Sequence, residues 1–551
     1  MILSDKLVEL QSKYRIVCNI DLDQWFLLPL LERKTWLSNT LLNERRDEFD
    51  INDRLVFTLT CDANCGNTAT DNVLVVLQRL INQLHIDISS YFIVVITHNK
   101  VDTQFLQTQN LEDVGITIES IEKPIDYTYN SRDPVKVKLA DLEERENFLL
   151  SESKTFCMYP WIHLHAYPTG EAYPCCHAEM GVGQVGNCKK NTLKEIWNSP
   201  EQKQLRKDML TETENPACGR CYEQEKSGFF SGRQSANKHH GHHIEKIKHT
   251  TEDGEYKDFE MSYWDIRFSN LCNLSCRSCG HIFSSSWYKD QVALAGPEWE
   301  KNNSVINYAG RFKTDMMAQL MQHLDYVEQI YFAGGEPLMM HEHYVILEEL
   351  ERRGKFDVRL IYNTNFTHVQ LKDRLVFDYW KKFDSVSVGA SLDAMGPRAE
   401  YIRKGTKWNV VEENRRKMLE ICPDVDFYIS PTLSIMNALH IPDFHREWVE
   451  LGLLKPQDLN INILQDPDHY RIDIAPPEYK YELLKKYSKH LEWLRPLDRL
   501  NRATVGFEGA SEYLKTDNTH LIEKFWSKTN QLDGIRKENI LDIIPELGAL
   551  K

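Results

Sequence analysis

The 551-residue sequence has no apolar run long enough to span a bilayer, and its start, MILSDKLVEL, lacks the basic segment and sustained apolar stretch of a secretory signal. The expectation is a cytoplasmic protein with no membrane partner. Positive charge is also short: 66 Lys and Arg against 82 Asp and Glu leave a net charge of −16. That balance argues against a general nucleic-acid binder, whose affinity rests on clustered basic side chains. What remains is an ordinary globular composition, 42% hydrophobic and 27% charged, with length for two to four domains.

Cysteine is where the chain departs from the ordinary. There are thirteen, at positions 18, 61, 65, 157, 175, 176, 188, 218, 221, 272, 276, 279 and 422. A reducing compartment disfavours disulfides, so clustered cysteines read as metal or redox ligands.

Residues 1–150 begin with RIVCNI, RLVFTLT, the helical NVLVVLQRLINQL, YFIVVITHN and GITIESI, which predict a small α/β domain with a mainly parallel sheet. A charged link, VKVKLADLEERENFLLSESK, follows. Cys61 and Cys65 have no companions nearby and read as plain thiols. Residues 151–235 are rich in Cys, Gly and Pro, the profile of a small metal-stapled unit. Residues 236–260 read as a His-rich polar linker, in which His239, His240, His242 and His243 suit either a metal or a solvated tract. From 261 to 476 the strands YWDIRFS, QIYFAGG, DVRLIYNTN, SVSVGASLD, DFYISPTLS and NINILQ alternate with helical stretches after 284, in HYVILEELERRG, QLKDRLVFDYWKKF, 410–421 and HREWVELG. Such alternation implies a parallel sheet curved toward a barrel, with its chemistry at the C-terminal strand ends. Residues 477–551 read as amphipathic helices able to cover an open barrel.

The first of those strands runs directly into SNLCNLSCRSCG, residues 269–280, and no further cysteine follows until Cys422. Cys272, Cys276 and Cys279 can each bind one iron of a cubane and leave the fourth iron without a protein ligand. A catalytic metal site keeps a position open for substrate in the same way. The competing reading is a structural zinc with His281 completing the tetrahedron. The next strand ends in AGGEP, where Gly334 and Gly335 let the backbone approach a ligand closely. Glu336, or a backbone carbonyl there, can accept hydrogen bonds from an ammonium group.

C-x3-C-x2-C followed by GGEP resembles the radical S-adenosylmethionine superfamily, over roughly residues 261 to 475. The resemblance implies a partial (β/α)6 TIM-like barrel and a [4Fe-4S] cluster on Cys272, Cys276 and Cys279, whose open iron binds the amino and carboxylate groups of S-adenosylmethionine. It places Gly334, Gly335 and Glu336 at the amino group. Ser391 and Asp393 in SVSVGASLDA resemble the family's SLDG segment, and a hydroxyl and a carboxylate suit ribose hydroxyls. Asn363 and Asn365 in YNTNF resemble its TNG segment, with Phe366 where glycine is usual. Arg403 suits bidentate pairing with the methionyl carboxylate, and equally a surface loop. Ile435 and Met436 would lie near adenine or in plain core packing.

A second cysteine set spans FCMYPWIHLHAYPTGEAYPCCHA and ACGRCYEQE. Four cysteines in a small Gly/Pro-rich unit suit a closed metal site, zinc or [4Fe-4S]. The pattern C-x12-G-x4-C and then C-x2-C resembles the SPASM/twitch auxiliary-cluster domain, here ahead of the barrel instead of behind it. The resemblance implies an auxiliary [4Fe-4S] cluster on Cys157, Cys175, Cys218 and Cys221, with Cys176 the rival to Cys175 and Cys188 a spare.

The resulting expectation is an α/β protein with five parts: an N-terminal α/β domain (1–150), a twitch domain (151–235), a linker (236–260), a radical S-adenosylmethionine barrel (261–476) and a helical C-terminal extension (477–551). Its implied activity is reductive cleavage of S-adenosylmethionine to a 5'-deoxyadenosyl radical that takes hydrogen from a peptide, protein or small metabolite, an oxidation or rearrangement supplied with electrons by a flavodoxin or ferredoxin. The rival of another class is a zinc- or iron-sulfur-stapled binding or scaffold protein.

Overall fold

The strand-like stretches at the start of the chain become parallel neighbours. In the computed structural model β1 (Ile16–Asp21), β2 (Leu55–Cys61), β3 (Tyr91–Thr97) and β4 (Ile116–Ile118) pair in that order, all parallel. The structure describes these four strands of the first 141 residues, together with residues 142–179, 181–226, 230–310 and 315–551. The helix expected in NVLVVLQRLINQL and the side chains of Cys18, Cys61 and Cys65 fall outside them. The chain forms two compact units, Met1–Tyr129 and Asn130–Lys551.

The second unit is built on an eight-stranded sheet ordered β16-β14-β11-β10-β8-β5-β6-β7. Its first three strands in sequence, β5 (His163–Ala166), β6 (Glu171–Tyr173) and β7 (Gly186–Asn187), form an antiparallel edge. β5 then pairs in parallel with β8 (Tyr263–Ile266), His165 opposite Asp265. The residues of the second cysteine set therefore share a sheet with the strand that leads into the first. β10 (Gln329–Phe332), β11 (Arg359–Thr364), β14 (Val386–Ala390) and β16 (Asp426–Ile429) continue the sheet in parallel. Beyond Pro431, β17 (Thr432–Leu433) pairs with β18 (Asn462–Ile463), also in parallel. Two short pairs complete the set: β9 (Ser275–Cys276) with β15 (Arg403–Lys404), and β12 (Gln370–Leu371) with β13 (Arg374–Leu375).

Because side chains alternate along a strand, the register sorts them into rows. Trp264, Ile330, Leu360 and Val386 lie side by side and are buried, as are Phe332, Tyr362, Val388 and Phe427. The opposite face carries Asp265, Arg267, Tyr331 and Ser387, and a row of Asn363, Gly389 and Tyr428. A Cβ on Gly389 would come within 3.0 Å of the side-chain tips of both row neighbours, so glycine lets Tyr428 and Asn363 close over it.

Two stretches differ from expectation. Residues 236–260, expected as a polar linker, are folded: helix Gly232–His240, capped by Ser231 and Gln234, runs into the 3-10 helix Gly241–His249, and Ala236, His240, Ile244 and Ile247 are buried. Asn237 accepts from the Met158 N–H and donates to the Phe156 carbonyl, tying the segment to Cys157's neighbours. In QLKDRLVFDYWKKF the first half is the β12/β13 hairpin, turned at Lys372 with φ 57°, and only Val376–Trp380 is helical. The C-terminal helices include Pro477–Leu494, Arg502–Tyr513 and Ile522–Arg536. No helix among the described residues is long and apolar enough to cross a membrane.

Candidate functional site

The three-cysteine loop follows β8 and is held by backbone groups on all sides. β9 pairs Cys276 with Arg403, the Arg277 N–H donates to the Ile402 carbonyl, and Trp287 Nε1 donates to the Cys276 carbonyl at 2.8 Å. Ser286 and Ser284 hydroxyls donate to the carbonyls of Cys272 and Leu274 at 2.7 and 2.5 Å. With the loop backbone so satisfied, the thiols are left for chemistry. Burial pushes Cys272 and Cys279 up to about 12, and their neighbour Cys276 adds to both shifts. Three thiols near one another, Cys276 buried and Cys272 and Cys279 half-buried, resist ionisation until a cation compensates them.

The AGGEP segment lies directly on this loop. The Gly335 N–H donates to the Ser269 carbonyl and the Glu336 N–H to the Leu271 carbonyl, at 3.2 and 2.7 Å. A Cβ on Gly335 would stand 2.1 Å from the Leu271 oxygen, and Gly334 has φ 127°, so both glycines are required for the approach. The Glu336 carboxylate is fully buried and accepts from Leu338 N (3.1 Å), Thr364 Oγ1 (2.7 Å) and Asn365 N (2.7 Å). Its side chain thereby fastens the loop after β11, and burial raises its pKa to about 7.

That loop and β15 return to the cysteines. Asn365 Nδ2 lies 3.8 Å from Cys272 Sγ and donates to Asn273 Oδ1 at 2.9 Å; Arg403 Nη1 lies 3.6 Å from Cys276 Sγ. Arg403 also pairs with the buried Asp393, Nη2 to Oδ1 at 3.0 Å and Nε to Oδ2 at 2.8 Å, while Asp393 accepts from Thr432 N. The structure thus joins Cys272, Cys276, Cys279, Gly334, Gly335, Glu336, Asn365, Asp393 and Arg403 through direct contacts or close neighbours. Ser391 is connected through its N–H to the Thr364 carbonyl, and Asn363 stands exposed on the open row of the sheet. Ile435 and Met436 are buried in the core. His281 sits edge-on against Trp299 and Tyr288.

Four residues of this site carry no motif in the sequence. Thr364 and Asn273 hold Glu336 and Asn365, while Arg277 and Arg536 tie the loop to the C-terminal helices. The one available signal was Arg277, a charge inside a cysteine loop.

The second set gathers at the edge strands. Cys157 precedes β5, Cys175 follows β6, Cys218 ends the 3-10 turn Pro216–Cys218, and Cys221 lies in the first turn of helix Gly219–Lys226. Each is raised by burial, and Cys175 also by Cys157, Cys218 and Cys221. Cys221 receives the backbone N–H groups of Gly232 and Arg233. The Arg233 guanidinium in turn binds Glu225 and the carbonyls of Ser153 and Phe156. Cys176 instead neighbours Asp265 and Arg267, and Cys188 neighbours Glu171.

Between the two sets lies a buried polar pair. His165 Nδ1 is 2.8 Å from Asp265 Oδ2, both side chains fully buried, and Arg267 Nε is 3.5 Å from Asp265 Oδ1. Burial opposes the Asp265 charge, but the facing His165 and Arg267 outweigh it and hold the carboxyl well below its usual range. Arg267 Cβ would be 3.3 Å from a Cβ on Gly334, so this pair abuts the glycine approach.

Residues 157–222 match the family model of SPASM, an iron-sulfur cluster-binding domain, and all four gathered cysteines fall inside the match. No curated protein matches the chain. Similar solved structures include native anSMEcpe with bound AdoMet and a peptide (18% identity, TM-score 0.29, covering 42% of this chain and 60% of that one). Native anSMEcpe with bound AdoMet is another (20%, TM-score 0.25, covering 41% and 57%). TYW1 with a lysine-pyruvate adduct is a third (14%, TM-score 0.22, covering 41% and 70%). This chain thus spans under two thirds of the anSMEcpe chains it resembles.

Proposed function

We propose that this chain is a radical S-adenosylmethionine enzyme with one open and one closed [4Fe-4S] site, acting on a peptide, protein or small metabolite. The observation that carries the reading is the seating of Gly335 against Leu271, which brings a glycine backbone onto a three-cysteine loop with no room for a Cβ. N–H groups of Asn365 and Arg403 on two cysteine sulfurs suit thiolates bound to iron.

In this reading Cys272, Cys276 and Cys279 hold the open cluster and leave one iron for S-adenosylmethionine. When bound, the pair supplies a 5'-deoxyadenosyl radical able to take hydrogen from a substrate. Backbone carbonyls of the glycine segment orient the amino group, while Glu336 keeps that segment and the β11 loop in register. Arg403, fixed by Asp393, lends positive charge beside Cys276. Cys157, Cys175, Cys218 and Cys221 hold the closed cluster, which suits electron transfer because no iron is left for substrate. Arg267 and Tyr331, on the polar face backed by the buried Asp265, line the surface for substrate between the two.

The test is anaerobic reconstitution, dithionite, S-adenosylmethionine and an assay for 5'-deoxyadenosine. About eight irons per chain and deoxyadenosine formation are expected. Replacing Cys272, Cys276 and Cys279 with Ala should leave about half the iron and no product. Product from that variant, or a colourless zinc protein, overturns the reading.

A further inference from the structure

One cluster of ligand atoms lies outside everything described above. The Nε2 atoms of His242 and His243 stand 2.7 and 3.1 Å from one oxygen, Oε2 of Glu328, and all three atoms lie within 4.8 Å of one another. We propose that His242, His243 and Glu328 form a zinc site that clamps the segment after the SPASM-like residues to the central sheet.

The local structure supplies the convergence. In a 3-10 helix consecutive side chains diverge by a third of a turn, yet here the His242 and His243 rings lie 4.1 Å apart and both reach Glu328. Both imidazoles are mostly buried, at 14% and 12% exposure. Glu328 is fixed from two sides: its N–H donates to the Ser262 carbonyl and its carbonyl accepts from Arg359 N. Ligands about 2.0–2.1 Å from a tetrahedral zinc stand about 3.3 Å from each other. Two edges of the triangle are already close to that value. Two neutral imidazoles and one carboxylate favour zinc over magnesium or calcium, which take oxygen ligands. The fourth position faces solvent beside the 44% exposed carboxylate.

Glu328 directly precedes β10, so the clamp sits at the N-terminal end of the strands, opposite the cysteine loop that follows β8. Its role is to hold the Gly241–His249 segment against the start of β10, in the middle of the sheet, and its test is independent of S-adenosylmethionine chemistry.

The experiment uses full-length protein with its iron centres reconstituted, cleared of loose metal by chelator and titrated with zinc sulfate. One zinc equivalent beyond the iron should bind, with a Zn K-edge first shell of nitrogen and oxygen at about 2.0 Å and no sulfur at about 2.3 Å. The thermal unfolding midpoint should rise with that equivalent. Glu328→Gln and His243→Gln should each lose the equivalent and the rise while keeping their iron. Sulfur in the first shell, no zinc bound at micromolar concentration, or zinc retained by both variants overturns the site. If either variant fails to fold, the spectrum of the unaltered protein still decides.

Discussion

Arg277, in the middle of the three-cysteine loop, donates through Nη2 to Glu538 at 2.9 Å and to Asp533, on a helix more than 250 residues later. Its guanidinium lies over the Tyr401 ring at 3.7 Å, and the side chain is almost wholly buried. Arg536 makes a second tie, to the Ser275 carbonyl and to Asp290. Helix Ile522–Arg536 is therefore a strut behind the cysteines, tied to their loop at Arg277 and Ser275.

Removing one partner of a buried ion pair leaves the other uncompensated and costs about 3–5 kcal/mol. Arg277→Met should lower the thermal midpoint and speed iron loss to a chelator. The double variant Arg277→Met with Asp533→Leu should recover part of the stability, since the buried Asp533 charge is gone and Glu538 keeps Lys404; recovery stays partial because Tyr401 Oη and Ile540 N lose their acceptor. Iron release from Arg277→Met at the unaltered rate would remove the strut from the account.

Gly335→Ala tests the approach of the glycine segment. The added Cβ meets backbone, the Leu271 oxygen at 2.1 Å, and backbone cannot step aside as a flexible side chain can. A shift of an ångström at a reacting site costs about a hundredfold in rate, so deoxyadenosine formation should fall by about that factor while the fold survives. Gly534→Ala is the control. Its Cβ enters open space on helix Ile522–Arg536, and alanine there should stabilise by about 0.5–1 kcal/mol. Equal activity in the two variants would show that the approach is not needed.

The difference between these two glycines shows what a sequence can and cannot say. C-x3-C-x2-C and AGGEP are local patterns at strand ends, and local patterns are legible. So is periodicity: PEYKYELLKKYSKHLEWL is helical over Pro477–Leu494 because its apolar side faces inward at helical spacing. Pairing is not legible, since alternation tells which face a residue occupies and not which strand lies beside it. Nothing in HLHA announces that His165 will stand opposite Asp265. Residues 236–260 mislead for a related reason: His240 and Asn237 are polar by composition but buried, the Asn237 amide bonded to Met158 N and the Phe156 carbonyl and the His240 ring stacked on Tyr263, all far away in sequence. A carboxylate at a strand end suits an ammonium group, so the sequence offers Glu336, or a backbone carbonyl beside it, as a ligand contact. Its three internal donors come from elements that only the fold brings near.

Glu336 also carries a pH signature. Burial raises its pKa from 4.5 to about 7, so the folded protein holds the proton more tightly than the unfolded chain. That contribution to stability is complete below pH 4.5 and is lost as pH rises through about 7. Glu336→Gln cannot titrate, and its amide leaves the buried Asn365 N–H without an acceptor, costing about 1–3 kcal/mol. The gap in unfolding midpoint between the unaltered protein and Glu336→Gln should be widest near pH 5 and narrow toward pH 8. A gap that is constant, or widens with pH, contradicts the burial of this carboxyl.

The adjacent thiols Cys175 and Cys176 separate the two faces of the SPASM-like edge. Burial raises both thiols; Cys175 is raised further by Cys176 and then by Cys157, Cys218 and Cys221, whereas Asp265 and Arg267 act on Cys176 ahead of Cys221, its one partner among the four. Cys188 lies apart from both, its N–H bonded to the Gly170 carbonyl and its thiol near Glu171. A closed cluster needs four thiolates, and a serine in place of one should forfeit it. Cys175→Ser should therefore retain about half of eight irons, while Cys176→Ser and Cys188→Ser keep the full complement. Iron content separates the alternatives without any assay of turnover. Loss from Cys176→Ser with retention by Cys175→Ser would exchange their roles, and would turn the Asp265 and Arg267 face into part of the cluster's own surroundings instead of a surface for substrate.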